Sequence, residues 1–169
     1  LDKVQMGELF AAFGMAYAIA LMPGGAMADI LGSRLTYAIS LIGWSLATMA
    51  QGFANTYHLL FGARMAIGAL EAPAFPSNAR AVTMWFPTQE RGLATSVYVM
   101  GQYIGTPLFA GLLLWITTSF GWRSVFYATG MAGVIFGLLW YMTYRDPVHH
   151  KRVNDAELKH LRDGGALMG

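Results

Sequence analysis

Arg64 and Glu71 stand inside an apolar stretch that reads Arg64-Met-Ala-Ile-Gly68-Ala-Leu-Glu71-Ala-Pro73-Ala-Phe75-Pro76-Ser-Asn78. A charge at the centre of a membrane helix costs about 2.5–3.5 kcal/mol on insertion scales, so such residues face protein or water. Seven residues of helix separate the two by about 10 Å along the axis. On a helical wheel Arg64, Gly68, Glu71, Phe75 and Asn78 share one stripe. A guanidinium presents a planar fork of donors that matches a carboxylate. Burial and a nearby guanidinium pull a carboxylate's proton in opposite directions, which suits Glu71 to exchanging one. The chemistry on offer is recognition of a small anion together with proton exchange. The plainer alternative, a structural ion pair with other helices, stays open.

The elements that must hold these residues are membrane helices. Of 169 residues, 56% are hydrophobic and 12% charged, with mean hydropathy +0.45; an ordinary soluble domain carries about 25% charged residues. Twenty glycines and 11 methionines suit close-packed helices in lipid. A net charge of +2, scattered along the chain, speaks against nucleic-acid binding. The absence of cysteine removes thiolate nucleophiles and thiolate metal sites. The four histidines, His58, His149, His150 and His160, fall at or beyond the ends of the apolar runs and include no His-x-x-x-His pair. With no nucleophile elbow or phosphate-cradling loop either, an enzyme is not expected.

Five apolar runs are long enough to cross a bilayer, near Met6–Ala28, Leu35–Ala54, Tyr57–Ala79, Gly92–Thr118 and Trp122–Tyr144. The short connection at Asn55–Thr56 makes the second and third antiparallel neighbours. Arg34, Arg80, Arg91, Arg145, Lys151, Arg152, Lys159 and Arg162 fall on one side, Lys3 and Arg123 on the other. Cytoplasmic loops carry the excess of Lys and Arg, so the N-terminal end is expected outside and the tail inside. In the first run Pro23-Gly24-Gly25 predicts a kink where another backbone can approach. In the fourth, Thr95, Tyr98, Gln102 and Thr106 form a polar stripe that must face protein or a water-filled cavity. Gly101-x-x-x-Gly105 and Gly133-x-x-x-Gly137 read as packing surfaces. In the tail, Asn154 and Glu157 predict a helix start and Gly164-Gly165 its end.

Gly25-x-x-x-Asp29-x-x-Gly32-x-Arg34 resembles the loop signature between the second and third helices of the major facilitator superfamily, with Ile30 and Leu35 where that family has basic residues. The Arg64–Asn78 stretch resembles the fourth helix of the anion:cation symporter family within it, notably bacterial permeases for galactonate and glucarate. Gln102, Gly121-Trp122-Arg123 and Asp146-Pro147 fit as well.

The resemblance implies an all-α integral membrane protein with the major facilitator fold. The chain would form part of the N-terminal half: five transmembrane helices over 1–145, then the start of a central cytoplasmic loop over 146–169. The first helix of the family and its C-terminal half are then partners that this segment lacks, beside the lipid bilayer and a small organic anion. The implied function is proton-coupled symport of a sugar acid such as a hexonate or hexarate across an inner membrane. The proton is the coupling ion, and no cofactor is expected. Arg64, Gln102 and Tyr17 would bind substrate and Glu71 would couple the proton. Gly25, Asp29, Gly32 and Arg34 would form a cytoplasmic gate. Two alternatives remain: a membrane protein that binds or senses an anion without moving it, and a facilitated uniporter for aromatic carboxylates.

Overall fold

The computed structural model describes residues 2–168, and every regular element among them is helical. α1 (Lys3–Gly52) has 50 residues, about 75 Å if straight, more than twice the roughly 30 Å of a bilayer core. It folds back at Gly32, whose φ of +75° and ψ of 163° leave the helical region. L-residues rarely adopt that φ, so glycine permits the reversal. The Thr36 hydroxyl donates to the Met27 carbonyl at 3.0 Å, although nine residues of straight helix would hold them about 13 Å apart. The two limbs therefore lie side by side and realise the first two predicted runs. Helical dihedrals continue through Pro23, so the reversal comes nine residues later than the proline.

The third crossing is composite. α2 (Tyr57–Glu71) opens on Thr56, whose side chain accepts from the Leu59 N–H at 3.3 Å, and it ends at Ala72. α3 (Ala74–Trp85) continues after Pro73, which lacks an N–H to extend the ladder. Neither piece alone is long enough to span. Together they reach six residues beyond the predicted end at Ala79. α4 (Arg91–Phe120) and α5 (Trp122–Thr143) match the last two runs within a few residues and meet at Gly121, with φ +85°. The tail carries a 3₁₀ turn (Pro147–His149) and α6 (Asp155–Asp163). The Asn154 side chain caps α6 by accepting from the Glu157 N–H at 2.8 Å.

Close approach of backbones holds the bundle together. Gly130, Gly133 and Gly137 of α5 lie against Met49, Ser45 and Ile42 of the second limb of α1. A Cβ on Gly130 would stand 2.7 Å from the Ser45 carbonyl oxygen, and one on Gly137 2.6 Å from Ile42 Cγ1. This seam is the packing surface expected of Gly133-x-x-x-Gly137. Gly101 and Gly105 of α4 meet no neighbour within 4 Å, and no residue of α4 is buried. The pair does not pack against another described element.

Charges separate between the two ends. At one end Arg80 pairs with Asp29 at 3.5 Å, and Arg91 donates to the Gly165 carbonyl at 2.6 Å and the Thr83 carbonyl at 3.2 Å. The Thr88 N–H donates to the Gly164 carbonyl at 2.9 Å, and Trp85 meets His150 edge to face at 5.4 Å. The tail thus lies across the junction of α3 and α4. At the other end Arg123 donates to the Gly52 carbonyl and the Asn55 side chain, and the Tyr57 hydroxyl donates to Glu8.

Candidate functional site

Gly68 sets the geometry of the charged stretch. A Cβ there would stand 3.1 Å from the Tyr17 backbone nitrogen and 3.2 Å from the Phe13 carbonyl carbon, so α2 runs hard against the first limb of α1. The two helices run in the same direction, which sets Arg64 beside Phe10 and Glu71 beside Tyr17. The Arg64 guanidinium carbon lies 5.8 Å from the centre of the Phe10 ring. Tyr17 stacks on Phe13 with ring centres 5.9 Å apart, and both Glu71 and Tyr98 lie within electrostatic reach of its hydroxyl. Tyr17 of α1 therefore stands beside Glu71 of α2 across the Gly68 approach.

Arg64 and Glu71 are each half-buried and not bonded to one another. Among the described residues the one ion pair is Arg80 with Asp29, and Arg64 donates no hydrogen bond. A guanidinium with free donors, packed against an aromatic face in an apolar span, is suited to an anion.

Gln102 is exposed, one helical turn from Tyr98 on the same face of α4, and among the described residues no hydrogen bond joins it to Arg64. Thr106 on that stripe donates back to the Gln102 carbonyl at 3.0 Å, so its hydroxyl is satisfied within its own helix.

α3 follows α2 through Ala72 and Pro73, both of which keep right-handed helical dihedrals. Arg64, Gly68 and Glu71 stay on the face toward α1, whereas Phe75 is 57% exposed. Asn78 lines a cavity of about 310 Å³ with Tyr37, Ala81, Val82, Phe86, Tyr98 and Trp140. Tyr37 and Trp140, whose ring centres are 4.6 Å apart, were not singled out in the sequence. A tyrosine one turn inside a span from Arg34 was the available signal.

The loop signature divides between two partners. Asp29 reaches Arg80 at the inner turn of α3, and Arg34 donates from Nε to the Tyr141 carbonyl at 2.9 Å while lying 4.2 Å from that residue's ring centre. Gly32 makes the reversal. Gly25 meets no neighbour within 4 Å; Gly24 is the residue against Pro73, where a Cβ would stand 2.9 Å from the proline Cα. Among the described residues no group of three or more His, Asp or Glu side chains could hold a metal ion.

A bundle of apolar helices packed through glycines, with an arginine and a glutamate inside one crossing, describes a polytopic membrane protein. The chain belongs to the Major Facilitator Superfamily, whose family profile it matches over residues 1–167. It is 44% identical to the D-galactonate transporter of Escherichia coli over 168 residues, covering 99% of this chain and 39% of that protein. It is 42% identical to the "Probable galactarate/D-glucarate transporter GudP" of Bacillus subtilis over 174 residues, covering 99% and 38%. The galacturonate transporter of Dickeya chrysanthemi is 30% identical over 164 residues, covering 97% and 48%. The chain spans about two-fifths of the length of the first two of these relatives.

Proposed function

We propose that the full-length protein carries a sugar-acid anion across a membrane by symport with a proton. The observation that carries this is the unpaired Arg64 guanidinium, set in a crossing helix on the face where Glu71 and Tyr17 also stand. A cation held inside a membrane crossing without a partner among the described residues is costly, and an anionic solute would neutralise it. Relatives at 42–44% identity are named for galactonate and for galactarate and glucarate, six-carbon acids that offer a carboxylate to Arg64. Gln102 can both donate to and accept from hydroxyl groups, and Tyr17 offers a hydroxyl beside Glu71. Glu71 gives and takes the proton. Gly25, Asp29, Gly32 and Arg34, with Arg80, belong to the cytoplasmic closure, where breaking the long Asp29–Arg80 pair costs little because Asp29 is 77% exposed.

Proteoliposomes containing the full-length protein test this directly. With the outside acidic, labelled galactonate or glucarate is expected to accumulate above its external concentration, and the accumulation collapses when a protonophore removes the gradient. Uptake that only equilibrates, at a rate indifferent to pH, identifies a uniporter instead. Binding without any uptake identifies a sensor.

The orientation belongs to the same proposal. The end bearing Arg34, Arg80, Arg91 and the tail faces the cytoplasm, because loops there carry the excess of Lys and Arg. Single cysteines at Thr56 and Ser119 should react with an impermeant maleimide in intact cells, and cysteines at Gln89 and Lys151 only after lysis. The reverse pattern would overturn the assignment.

A further inference from the structure

The C-terminus of α5 gathers positive charge in an arrangement of which the transport reading uses only Arg34. Arg34 Nε donates to the Tyr141 carbonyl at 2.9 Å, and Arg145 Nη1 donates to the same carbonyl at 3.1 Å and to the Tyr144 carbonyl at 2.8 Å. Two guanidinium groups thus converge on one oxygen that carries only partial negative charge. The last carbonyls of a helix need donors, and its dipole favours cations, but one arginine meets that need. The remaining guanidinium nitrogens of both residues donate to nothing among the described residues.

These groups line a cavity of about 280 Å³ with Leu31, Leu35, His149 and a single carboxylate, Asp146. A second cavity of about 240 Å³ shares Arg145 and His149 and adds Met142, Lys151 and Arg152. Four full cations therefore face one carboxylate across the pair of cavities. Lys151 and Arg152 are exposed, and their side chains make no hydrogen bond among the described residues. The rim is apolar: Leu31 is 44% exposed and Met142 69% exposed. Both stand at the ends of crossing helices, at the level where acyl chains give way to headgroups.

We propose that this end of α5 is a binding site for the phosphodiester headgroup of an anionic glycerophospholipid. Arg34 and Arg145 grip the phosphate, Lys151 and Arg152 attract it, and the acyl chains lie on Leu31, Leu35 and Met142. Basic pockets at the edge of transmembrane helices are suited to such headgroups. The apolar rim distinguishes a lipid from a free phosphate, which has nothing to place there. The inference rests on membrane embedding alone and is independent of which solute is carried.

The test uses the full-length protein in detergent, with thermal unfolding followed as phosphatidylglycerol, phosphatidylcholine or inorganic phosphate is added. Phosphatidylglycerol is expected to raise the midpoint at micromolar concentration, and the other two are not. Each Lys or Arg near an anionic headgroup contributes about fivefold in affinity, so Lys151→Gln with Arg152→Gln should weaken the response on the order of 25-fold. Those two side chains are exposed and make no hydrogen bond among the described residues, so the variant is expected to fold as the parent does. Arg145→Lys keeps the charge but loses the fork, and should weaken the response by a smaller factor than Arg145→Gln. Lys159→Gln with Arg162→Gln, on the exposed face of α6, is the control and should leave the response unchanged. An equal loss in that control would reduce the effect to general electrostatics and overturn the site. Protection by inorganic phosphate equal to that by phosphatidylglycerol would overturn the lipid assignment.

Discussion

Replacing Glu71 by glutamine in the full-length protein is expected to abolish proton-driven accumulation while sparing binding and exchange. Glutamine has nearly the shape of a protonated carboxyl but can neither gain nor lose a proton. The variant should bind anion at least as well as the parent, since a negative charge beside the Arg64 site is gone. Labelled substrate should still exchange for unlabelled substrate across proteoliposomes, because exchange needs no net proton release. Under an inward acid gradient, accumulation should fall to the equilibrium level. The rival account makes Glu71 a structural ion-pair partner, and breaking a buried pair costs about 3–5 kcal/mol. That account predicts loss of folding, binding and exchange together. The geometry disfavours it within this chain, because Glu71 and Arg64 are not bonded and the one ion pair among the described residues lies elsewhere. Accumulation at the parent's rate in a well-folded Glu71→Gln protein would falsify the coupling role.

The second large effect is expected at Arg64. Arg64→Lys keeps the charge but replaces a planar fork by a point charge on a flexible stem. A hydrogen bond to a charged group is worth about 1.5–3 kcal/mol, so loss of one prong weakens binding roughly tenfold to hundredfold. Titration calorimetry with galactonate and glucarate measures this, with the melting temperature of the unliganded protein as a folding control. Since Arg64 donates no hydrogen bond among the described residues, that melting temperature should hardly move. Unchanged affinity in Arg64→Lys would make Arg64 a packing residue and move the anion site elsewhere.

The crossings themselves were legible in the sequence because hydropathy needs no knowledge of tertiary contacts. The grouping of Arg34, Arg80, Arg91 and Arg145 at one end was legible for the same reason. The glycine of Asp29-x-x-Gly32 could be read as a turn, and its φ of +75° is the conformation that a turn there requires. The company of Asn78, which lines a cavity with Tyr37 and Trp140, was not encoded by a wheel drawn for one helix. Partners across long sequence separations were also out of reach. Asp29 with Arg80 and Arg34 with Tyr141 depend on how helix ends meet, which local periodicity does not encode. The conjunction of Arg64, Glu71 and Tyr17 is partly visible as two charges in one apolar run; Gly68 supplies the close approach that brings the tyrosine to them.

The glycine seam between α5 and the second limb of α1 also bears on how the chain enters the membrane. About eighty residues separate Met49 from its partner Gly130, so at synthesis rates of about 5–20 residues per second the limb waits roughly 4–16 s for α5. Through that interval the face carrying Ser45 and Thr48 meets lipid or the insertion machinery, neither of which offers a matched partner. Both hydroxyls are already answered within their own helix, Ser45 by the Leu41 carbonyl at 2.6 Å and Thr48 by the Trp44 carbonyl at 2.8 Å. The hydroxyls on that face are therefore answered before α5 arrives, so its glycine face can dock late by shape, and side-chain hydrogen bonds are added only at the two ends of the contact, from Arg34 to the Tyr141 carbonyl and from Arg123 to the Gly52 carbonyl.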